Sequence, residues 1–503
     1  MQKLAKCIMV LGTSSGAGKS WVTTALCRYY SNLGLKVAPF KAQNMSNNAR
    51  VVMGQGGGFG EIGSAQYFQA LAARAQPDVR MNPLLLKPEA DTHSQVVLLG
   101  QVDVALTALP WRGRSARVWP AIAVALASLR AENDVVIIEG AGSPAETNLA
   151  ASDIVNMRVA QEAQAACLLV TDIDRGGAFA HLYGTWALLE PEQRALIKGF
   201  VLNKFRGDAA LLSPAPEDLQ ARTGIPTLGV IPMQFHHGLP EEDGVFDLGT
   251  TACSGSKASE LLTIAVVAYP RISNLDEFQS LRNMPHVRLV WARSPAELAQ
   301  ADWVVLPGSK ATIADLAWLR AQKLDRAIAE HAAQGGRVLG ICGGLQMLGE
   351  ALIDPESIAG NGPGLGLLPL VTQFAPEKTV RPCAQTFAPL QGAWAALSGQ
   401  PLQGYEIHQG QTSLHPAMVA AGVQVQTALP HDLAWANEAG NVLGLYVHGL
   451  FEDAGVLQAL FGAQARTLDS VFDDLAAHIA AAMGSATLNQ LLDDASSPAA
   501  VID

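Results

Sequence analysis

Two short stretches of this 503-residue sequence contain residues whose types and spacing can do chemistry. The first, residues 8–20, reads I-M-V-L-G-T-S-S-G-A-G-K-S, and the second, residues 338–349, reads V-L-G-I-C-G-G-L-Q-M-L-G. Glycines followed by lysine and serine after an apolar run are typical of loops that bind phosphate. A cysteine in a glycine-rich turn is typical of an exposed nucleophile. The sequence therefore predicts two different chemistries in one chain.

The first stretch predicts a phosphate-binding loop that opens a helix. Backbone N–H groups and the positive helix end can hold phosphates, while Lys19 reaches the β- and γ-phosphates and the Ser20 hydroxyl binds Mg²⁺. The spacing departs from G-x-x-x-x-G-K-[ST], because Thr13 occupies the first glycine position and Gly12 comes one residue early. A glycine-rich turn without a ligand is the alternative. The predicted nucleotide contacts are Thr13, Ser14, Ser15, Gly16, Ala17, Gly18, Lys19 and Ser20.

Polar side chains at the ends of three other apolar runs can complete this site. Glu139 ends V-V-I-I-E, and Asp172 ends L-L-V-T-D. A carboxylate at a strand end can bind Mg²⁺ or cap the next helix, and glutamate is the less usual cap. We therefore predict Glu139, with Ser20, as the metal ligand, and Asp172 as a phosphate or substrate contact. Asn203, in V-L-N-K-F, can recognise the adenine edge or form a turn.

The second stretch predicts that Cys342 is a nucleophile on a sharp turn between a strand and a helix. Such a turn projects the side chain, and a helix N-terminus favours thiolate over thiol. The N–H of Gly343 can contribute to an oxyanion hole. A thiol nucleophile needs a base, and His448 follows the apolar run V-L-G-L-Y-V. The alternative for each is a structural role, but the turn distinguishes Cys342 from the other five cysteines.

Alternating apolar runs predict the elements that position these residues. In the first half, runs such as C-I-M-V-L, V-V-I-I-E and C-L-L-V-T-D alternate with helical patterns, one of them from Ser20 to about Leu33. This alternation indicates a buried parallel sheet. The alternation restarts with T-I-A-V-V-A-Y and continues to V-L-G-L-Y-V. We predict four segments: 1–250 with the phosphate loop, a linker at 251–260, 261–455 with the thiol, and a helical extension at 456–503.

Composition excludes several classes of protein. Hydrophobic residues make up 49% of the chain, enough for large cores, and the net charge of −11 argues against a general nucleic-acid binder. No C-x-x-C pair suggests a zinc cluster, and scattered cysteines suit a reducing cytosol. No apolar run is long enough to cross a bilayer. We expect a cytoplasmic protein with no nucleic-acid or membrane partner.

The thiol stretch, together with V-H-G at His448, resembles the class I, triad-type glutamine amidotransferases. The resemblance implies that Cys342 attacks the carboxamide of glutamine, that His448 transfers protons and that ammonia leaves. It also implies that Gly308, in L-P-G-S-K, contributes to the oxyanion hole with Gly343.

This sequence departs from that family at one position. Many members carry a glutamate two residues after the histidine, and here that position is Leu450. Glu406, in G-Y-E-I-H, is one candidate to orient His448 instead. A cysteine–histidine pair without an acid is the simpler alternative.

The first half resembles dethiobiotin synthetase and its relatives, which share the shifted loop and the E-G-A-G strand end. They use ATP to phosphorylate a carboxylate. The combination implies an α/β chain with two doubly wound domains, one P-loop NTPase-like and one flavodoxin-like. The stretches F-K-A-Q-N-M-S-N-N, Y-P-R-I-S-N-L-D-E-F, L-P-G-S-K and G-Y-E-I-H are similar to the cobyric acid synthase family.

That resemblance implies a glutamine-hydrolysing amide synthetase. Its substrates would be ATP with Mg²⁺, glutamine and adenosylcobyrinic acid a,c-diamide, amidated at carboxylates b, d, e and g. Lys41, at the end of the second strand, would neutralise transition-state charge. Gln43 and Asn44, in an amide-rich loop, would bind the substrate. A surface lysine and an ordinary polar turn are the alternatives for these residues, and the oligomeric state stays open.

Three other functions are compatible with parts of the sequence. A P-loop partitioning ATPase would carry a signature lysine five residues before the loop lysine, where this chain has Ser14. An amidotransferase half that has lost catalysis would act as a scaffold, although the cysteine turn and His448 argue against that. A sister synthetase would amidate positions a and c, or a peptidoglycan-type carboxylate.

Overall fold

The computed structural model describes residues 4–90, 93–240, 261–356, 360–462 and 466–495. The strands of residues 4–240 are β1 (Lys6–Gly12), β2 (Val37–Phe40), β3 (Gln43–Met45), β4 (Ala49–Met53), β5 (Phe59–Gly63), β6 (Leu84–Ala90), β7 (His93–Leu98), β8 (Gln101–Val102), β9 (Val135–Glu139), β10 (Ala166–Asp172), β11 (Ile197–Phe205) and β12 (Thr227–Pro232). The helices are α1 (Lys19–Asn32), α2 (Ser64–Ala72), α3 (Val104–Thr107), α4 (Trp111–Glu132), α5 (Met157–Ala163), α6 (Ala178–Ala187), α7 (Pro191–Arg194) and α8 (Ala215–Thr223).

A second set of elements follows from residue 261. Its strands are β13 (Leu262–Val267), β14 (Ile272–Ser273), β15 (Val287–Ala292), β16 (Trp303–Leu306), β17 (Gly308–Ser309), β18 (Arg337–Ile341), β19 (Ala351–Ile353), β20 (Gly362–Pro363), β21 (Leu370–Thr386), β22 (Pro401–Leu414), β23 (Val425–Leu429), β24 (Ala434–Asn437) and β25 (Val442–Leu445). Its helices are α9 (Gln279–Arg282), α10 (Pro295–Leu298), α11 (Thr312–Ala321), α12 (Leu324–Ala333), α13 (Gly343–Leu348), α14 (Pro416–Ala420), α15 (Ala454–Phe461), α16 (Leu468–Met483) and α17 (Ser485–Asp494).

The first sheet has six parallel strands in the order β12-β11-β10-β1-β9-β2. Its strands read as continuous apolar runs because both faces are covered. β1 lies between β9 and β10, so the carboxyl ends of these three strands meet at one edge. The predicted parallel sheet is confirmed, and α1 begins one residue before the predicted start.

Two small sheets lie between β2 and β9 in the sequence. One has the order β3-β6-β7-β8, and the other is the antiparallel pair β4-β5. The sequence predicts only an amide-rich loop in this region, because short strands with mixed polarity lack a clear period. β4 contacts the long antiparallel pair β21-β22 of the second half. This region therefore joins the two halves of the chain.

The second large sheet has seven strands in the order β15-β13-β16-β18-β25-β24-β23. The first five are parallel and include β13 and β25, which are the runs T-I-A-V-V-A-Y and V-L-G-L-Y-V of the sequence, whereas β24 and β23 form an antiparallel edge. β18 lies beside β25, so the residues that follow these strands are neighbours. The predicted α/β class with two doubly wound sheets is confirmed.

The C-terminal helices pack on the first half, although they follow the second half in sequence. Helix α16 lies along α1 and against β12, and Tyr30 donates a hydrogen bond to the carbonyl of Leu488 at 2.7 Å. The buried Arg28 pairs with Asp473 at 2.8 Å and with Asp469. Helices α16 and α17 of the predicted extension 456–503 thus complete the core of the first half, whereas α15, which includes its first residues, packs in the core of the second half. The predicted linker at 251–260 lies outside the described residues.

Candidate active sites

The phosphate loop joins the end of β1 to the start of α1. The N–H of Thr13 donates to the carbonyl of Val170 at 2.9 Å, which anchors the loop to β10. Gly16 and Gly18 have φ of +75° and +94°, a region that favours glycine. A Cβ at Gly18 would also collide with the side chain of Asn203. The glycines are therefore required by the shape of the loop.

The loop lysine and serine both face the carboxyl edge of the sheet. Nζ of Lys19 donates to the carbonyls of Ser14 and Gly142, each at 3.0 Å. Oγ of Ser20 donates to Oε1 of Glu139 at 2.9 Å. The structure thus brings together the loop, the lysine, the serine and the β9 carboxylate, as the spacing predicted.

Glu139 is a buried carboxylate surrounded by donors. It accepts hydrogen bonds from Ser20, from Lys41 at 2.9 Å and from Gln69 at 2.5 Å. Burial raises the pKa of Glu139, but Lys41, Gln69 and Ser20 together outweigh burial and hold that pKa below its usual value. An ionised carboxylate beside a hydroxyl is the donor set that suits Mg²⁺. Gln69, on α2, was not predicted, because nothing in its local sequence marks it.

Asn203 and Asp172 support the loop from the neighbouring strands. Nδ2 of Asn203 donates to the carbonyl of Ala17 at 3.0 Å. Nζ of Lys204 donates to the carbonyl of Gly16 at 2.8 Å and lies 3.2 Å from Oδ2 of Asp172. These contacts give both predicted residues a role in holding the loop, and their contacts with a ligand stay predictions.

The residues after β2 are more buried than a surface loop would be. Lys41 is a buried partner of Glu139, so the surface-lysine alternative is wrong. Asn44 is buried, whereas Gln43 is half-buried. In the same amide-rich stretch, Oδ1 of Asn48 accepts a hydrogen bond from the N–H of Leu275 at 2.9 Å. Part of this stretch therefore docks against the second half of the chain.

Cys342 occupies a strained turn between β18 and α13. Its φ of +51° and ψ of −103° are unusual for a residue with a side chain. The flanking glycines make the turn possible, because a Cβ at Gly344 would overlap the carbonyl of Leu306 and one at Gly340 would lie 2.7 Å from the backbone of Gly344. The turn expected from the G-x-C-x-G spacing is present.

His448 is buried beside Cys342 and has a carboxylate partner. It is close enough to Cys342 for that side chain to raise its pKa, and its Nδ1 lies 3.3 Å from Oε1 of Glu277. The N–H of Gly449 donates to Oε2 of the same glutamate at 3.3 Å. Burial lowers the pKa of His448, but Glu277 and Cys342 raise it to about 10 overall. The histidine is therefore held as an imidazolium between a sulfur atom and a carboxylate.

Glu406, the carboxylate suggested by the sequence, faces elsewhere. It accepts a hydrogen bond from Arg381 at 2.8 Å and lies 3.1 Å from Nε2 of His408. Neighbouring residues on a strand point to opposite faces, and on β22 it is Tyr405 that stacks on His448. The acid beside His448 is Glu277, so neither the Glu406 assignment nor a pair without an acid describes this site.

Glu277 was missed because it precedes His448 by 171 residues. It lies in a short 3₁₀ helix, Leu275–Phe278, and its side chain is fully buried. In the sequence, the stretch N-L-D-E-F shows only a family resemblance. Two consecutive acids between apolar residues were the one local signal that could have drawn attention to it.

The two predicted oxyanion-hole glycines border the same space. Gly308 begins β17, which pairs with β14, and a Cβ there would lie 3.1 Å from Cε1 of His448. A Cβ at Gly343 would lie 2.8 Å from the backbone N of Ser309. Only glycine lets the β17 backbone approach the cysteine turn this closely. The structure therefore brings Cys342, His448, Gly308 and Gly343 together.

Four other described cysteines are poor candidates for a nucleophile. Burial raises the pKa of Cys7 and Cys383 to about 11 each and that of Cys167 to about 12, and it raises the pKa of Cys27 further. These side chains are therefore neutral thiols at physiological pH.

Comparison with known proteins assigns each half of the chain to a known domain family. Residues 8–241 match the model of the CobQ/CobB/MinD/ParA nucleotide binding domain, and residues 263–456 match that of the CobB/CobQ-like glutamine amidotransferase domain. A solved structure, PurLQS from Thermotoga maritima, is 18% identical, covers 40% of this chain and 97% of its own, and has a TM-score of 0.29, too low to support any argument. No helix among the described residues is long and apolar enough to cross a membrane.

Curated relatives match nearly the whole chain. The cobyric acid synthase of Acidovorax sp. (strain JS42) is 74% identical and covers 95% of this chain and 96% of its own length. Those of Paracidovorax citrulli and Variovorax paradoxus are each 72% identical and cover 94% of this chain and 96% of their own. At this identity over this length, the chain belongs to the cobyric acid synthase family.

Proposed function

We propose that this chain amidates the b, d, e and g carboxylates of adenosylcobyrinic acid a,c-diamide, using ATP and glutamine, to give adenosylcobyric acid in cobalamin biosynthesis. One observation supports this most directly. A phosphate loop with an adjacent carboxylate and a Cys–His–Glu site occur in one chain of the cobyric acid synthase family. A carboxylate must be activated before ammonia can displace an oxygen from it, so the two sites supply the two reactants.

At the thiol site, Cys342 attacks the side-chain carboxamide of glutamine. The N–H groups at Gly308 and Gly343 stabilise the tetrahedral oxyanion, and His448 donates its proton to the departing ammonia. A glutamyl thioester remains on the sulfur. His448 then takes a proton from water as the water attacks the thioester, which releases glutamate. Glu277 orients the imidazole and stabilises its charged form throughout.

At the loop site, the residues from Thr13 to Ser20 hold the nucleotide phosphates. Lys19 and Lys41 neutralise charge as the γ-phosphoryl group moves to a substrate carboxylate. Phosphate then leaves the acyl phosphate as ammonia attacks its carbonyl carbon. Asp172 and Asn203 support the loop, and Gln43 and Asn44 contact the corrinoid.

The residues fit a magnesium ion. Ser20 Oγ and Glu139 Oε1 are oxygen donors 2.9 Å apart, and the carboxylate is ionised. Among the described residues no cluster of three acidic, histidine or cysteine side chains could bind a metal. Mg²⁺ usually completes its shell with waters and phosphate oxygens, and it would supply neutralisation of phosphate charge here.

The chain would divide this work among its segments. Residues 1–250 form the synthetase unit and 261–455 the glutaminase unit, joined by 251–260, while helices α16 and α17 of the extension 456–503 return to the synthetase unit. The contact between α1 and α16 supports that last assignment. Because ammonium is not a nucleophile, ammonia must pass between the units without taking up a proton.

The deciding experiment follows the corrinoid by mass spectrometry in the presence of Mg-ATP and glutamine. Each conversion of a carboxylate to an amide lowers the mass by about one unit, since OH is replaced by NH₂. We expect four successive steps that require both ATP and a nitrogen source. No change in mass while glutamine and ATP are consumed would contradict the substrate assignment, and adenosylcobyrinic acid without its two amides would then be tested for the sister activity.

A further inference from the structure

The glutaminase site rests partly on a residue from the other half of the chain. Arg50, on β4, is 2% exposed and reaches across to Glu452, with Nη1–Oε2 at 2.8 Å and Nη2–Oε1 at 2.6 Å. It also pairs with Asp276. Asp276 immediately precedes Glu277, and Glu452 follows His448 by four residues. One guanidinium therefore holds together the two segments that carry the histidine and its carboxylate.

Arg50 also supports His448 through an aromatic ring. Its guanidinium lies 5.2 Å from the ring centroid of Tyr405, and that ring stacks on His448 with centroids 5.4 Å apart and an interplanar angle of 21°. The backbones of Tyr405 and His448 exchange two hydrogen bonds, at 2.9 and 3.2 Å. The arginine thus contacts the tyrosine that sets the plane of the imidazole, in addition to the two acidic segments.

The backbone next to Arg50 docks on the same segment. The carbonyl of Ala49 accepts a hydrogen bond from Nδ2 of Asn274 at 2.9 Å, and Oδ1 of Asn48 accepts one from the N–H of Leu275 at 2.9 Å. Asn274 has a φ of +56°, so it starts the 3₁₀ helix from a left-handed turn. Three consecutive residues of the first half therefore contact three consecutive residues just before Glu277.

The charges explain why an arginine is needed here. Asp276, Glu277 and Glu452 are three carboxylates in a largely buried region. Burial raises the pKa of Glu452, and Arg50 offsets part of that rise. Removing a buried cation leaves its acidic partners without compensation, so their segments must move toward water or take up protons. Movement of either segment displaces Glu277 or His448.

We infer that Arg50 is a positioning residue for glutamine hydrolysis, supplied to the glutaminase site by the synthetase half of the chain. It holds Glu277 and His448 in place relative to Cys342 and touches neither glutamine nor the sulfur. This inference rests on the proposed glutaminase activity of Cys342.

Two variants of Arg50 and one matched control test the inference. Arg50→Met removes the charge, and Arg50→Lys keeps the charge but lacks the forked guanidinium that can bind two carboxylates. The control, Arg28→Lys, alters another buried arginine, which pairs with two aspartates and lies 5.7 Å from the ring centroid of Phe472. For each variant, kcat and KM for glutamine are measured in one assay. ATP-dependent amidation of the corrinoid with ammonium chloride is measured in a second assay.

We expect Arg50→Met to lower kcat for glutamine hydrolysis on the order of 10- to 100-fold, because small displacements of catalytic groups cost that much. KM for glutamine and the ammonium-supported rate should stay within about threefold, and Arg50→Lys should recover part of the loss. The control Arg28→Lys should change the two activities by the same factor, since it affects only the folded fraction.

Unchanged glutamine hydrolysis in folded Arg50→Met would overturn the inference, as would an equal loss of both activities. If Arg50→Met does not fold, Asp276→Asn probes the other end of the contact. Its effect on kcat should combine less than additively with that of Arg50→Lys, and full additivity would count against a shared role. Failure of the wild-type protein to hydrolyse glutamine would instead contradict the proposed function.

Discussion

The phosphate site and the thiol site are built in different ways. The predicted phosphate contacts are contiguous in sequence, at residues 13–20, and the groups that anchor them lie at the carboxyl ends of the strands β9, β10 and β11. The thiol site combines Glu277, Gly308, Cys342 and His448, and the first and last of these are 171 residues apart. Arg50, from the first half of the chain, pairs with Asp276 beside this site. A site built from one local loop can be found by spacing, whereas a site assembled from distant segments depends on how they pack.

The glycines of the two sites show the same contrast. Gly16 adopts a left-handed conformation, yet a Cβ there would meet no atom within 4 Å. Gly344 is needed because the carbonyl of Leu306, on another strand, occupies the space of a Cβ. In the first site glycine serves the local backbone conformation, and in the second it serves tertiary packing.

Cys342→Ala should have the largest effect and separates the two sites most sharply. Loss of the nucleophile is expected to lower the glutamine-dependent rate by roughly 10⁴- to 10⁶-fold, as with other covalent catalysts. Amidation supported by high ammonium should remain, because the loop site is intact. Both rates are measured by mass spectrometry of the corrinoid. Loss of the ammonium-supported rate in a folded variant would contradict the division of labour.

Lys19→Ala should break the other site. Because the lysine neutralises charge on the phosphates, we expect amidation from either nitrogen source to fall roughly 10²- to 10³-fold. Glutamine hydrolysis without the acceptor serves as the control and should change little. Retained amidation with ammonium would remove the phosphate-loop assignment.

Glu277→Gln tests the acid that the sequence did not reveal. We expect kcat for glutamine hydrolysis to fall about 10- to 100-fold. Glu277 raises the pKa of His448, so its neutralisation should let His448 lose its proton at lower pH. The alkaline limb of the pH–rate profile should therefore move down from near pH 10, since the leaving ammonia needs that proton.

Glu406→Gln is the matched control for that prediction. Glu406 contacts Arg381 and His408 rather than His448, so its replacement should leave the alkaline limb in place. An equal shift in both variants would show that general negative charge, and not a contact with Nδ1, sets the pKa of His448.

Alanine at the two contrasting glycines tests the comparison through stability, where the expected effects are the smallest of this series. Gly344→Ala forces a Cβ into the backbone of β16 and should cost about 3 kcal/mol or more of the free energy of unfolding. Gly16→Ala should cost about 1 kcal/mol, the penalty of a left-handed alanine. Denaturant unfolding of both variants compares the two costs. Equal values would remove the distinction between local and tertiary requirements for glycine.

The amino-acid sequence by itself determined the sheet strands, the phosphate loop and the cysteine turn. Each of these depends on a run of neighbouring residues: apolar strands, glycines with allowed left-handed conformations, and a lysine and serine at the start of α1. The partner of Ser20 was also predictable, since parallel strands end at one edge and Glu139 ends β9. The same local sequence patterns form the same local structures in many proteins, so the spacing of neighbouring residues was enough to predict these features.

Only the tertiary structure decided which acid meets His448 and which residue holds that acid in place. Leu450 occupies the position, two residues after His448, where many family members carry a glutamate. Nothing in the sequence distinguishes Glu277 from Glu406 as its replacement. The direction in which a strand presents its side chains turns Glu406 away, and a 3₁₀ helix docked on Arg50 turns Glu277 inward. The orientations of both glutamates depend on packing between segments far apart in the chain, and the spacing of residues along the sequence does not reveal that packing.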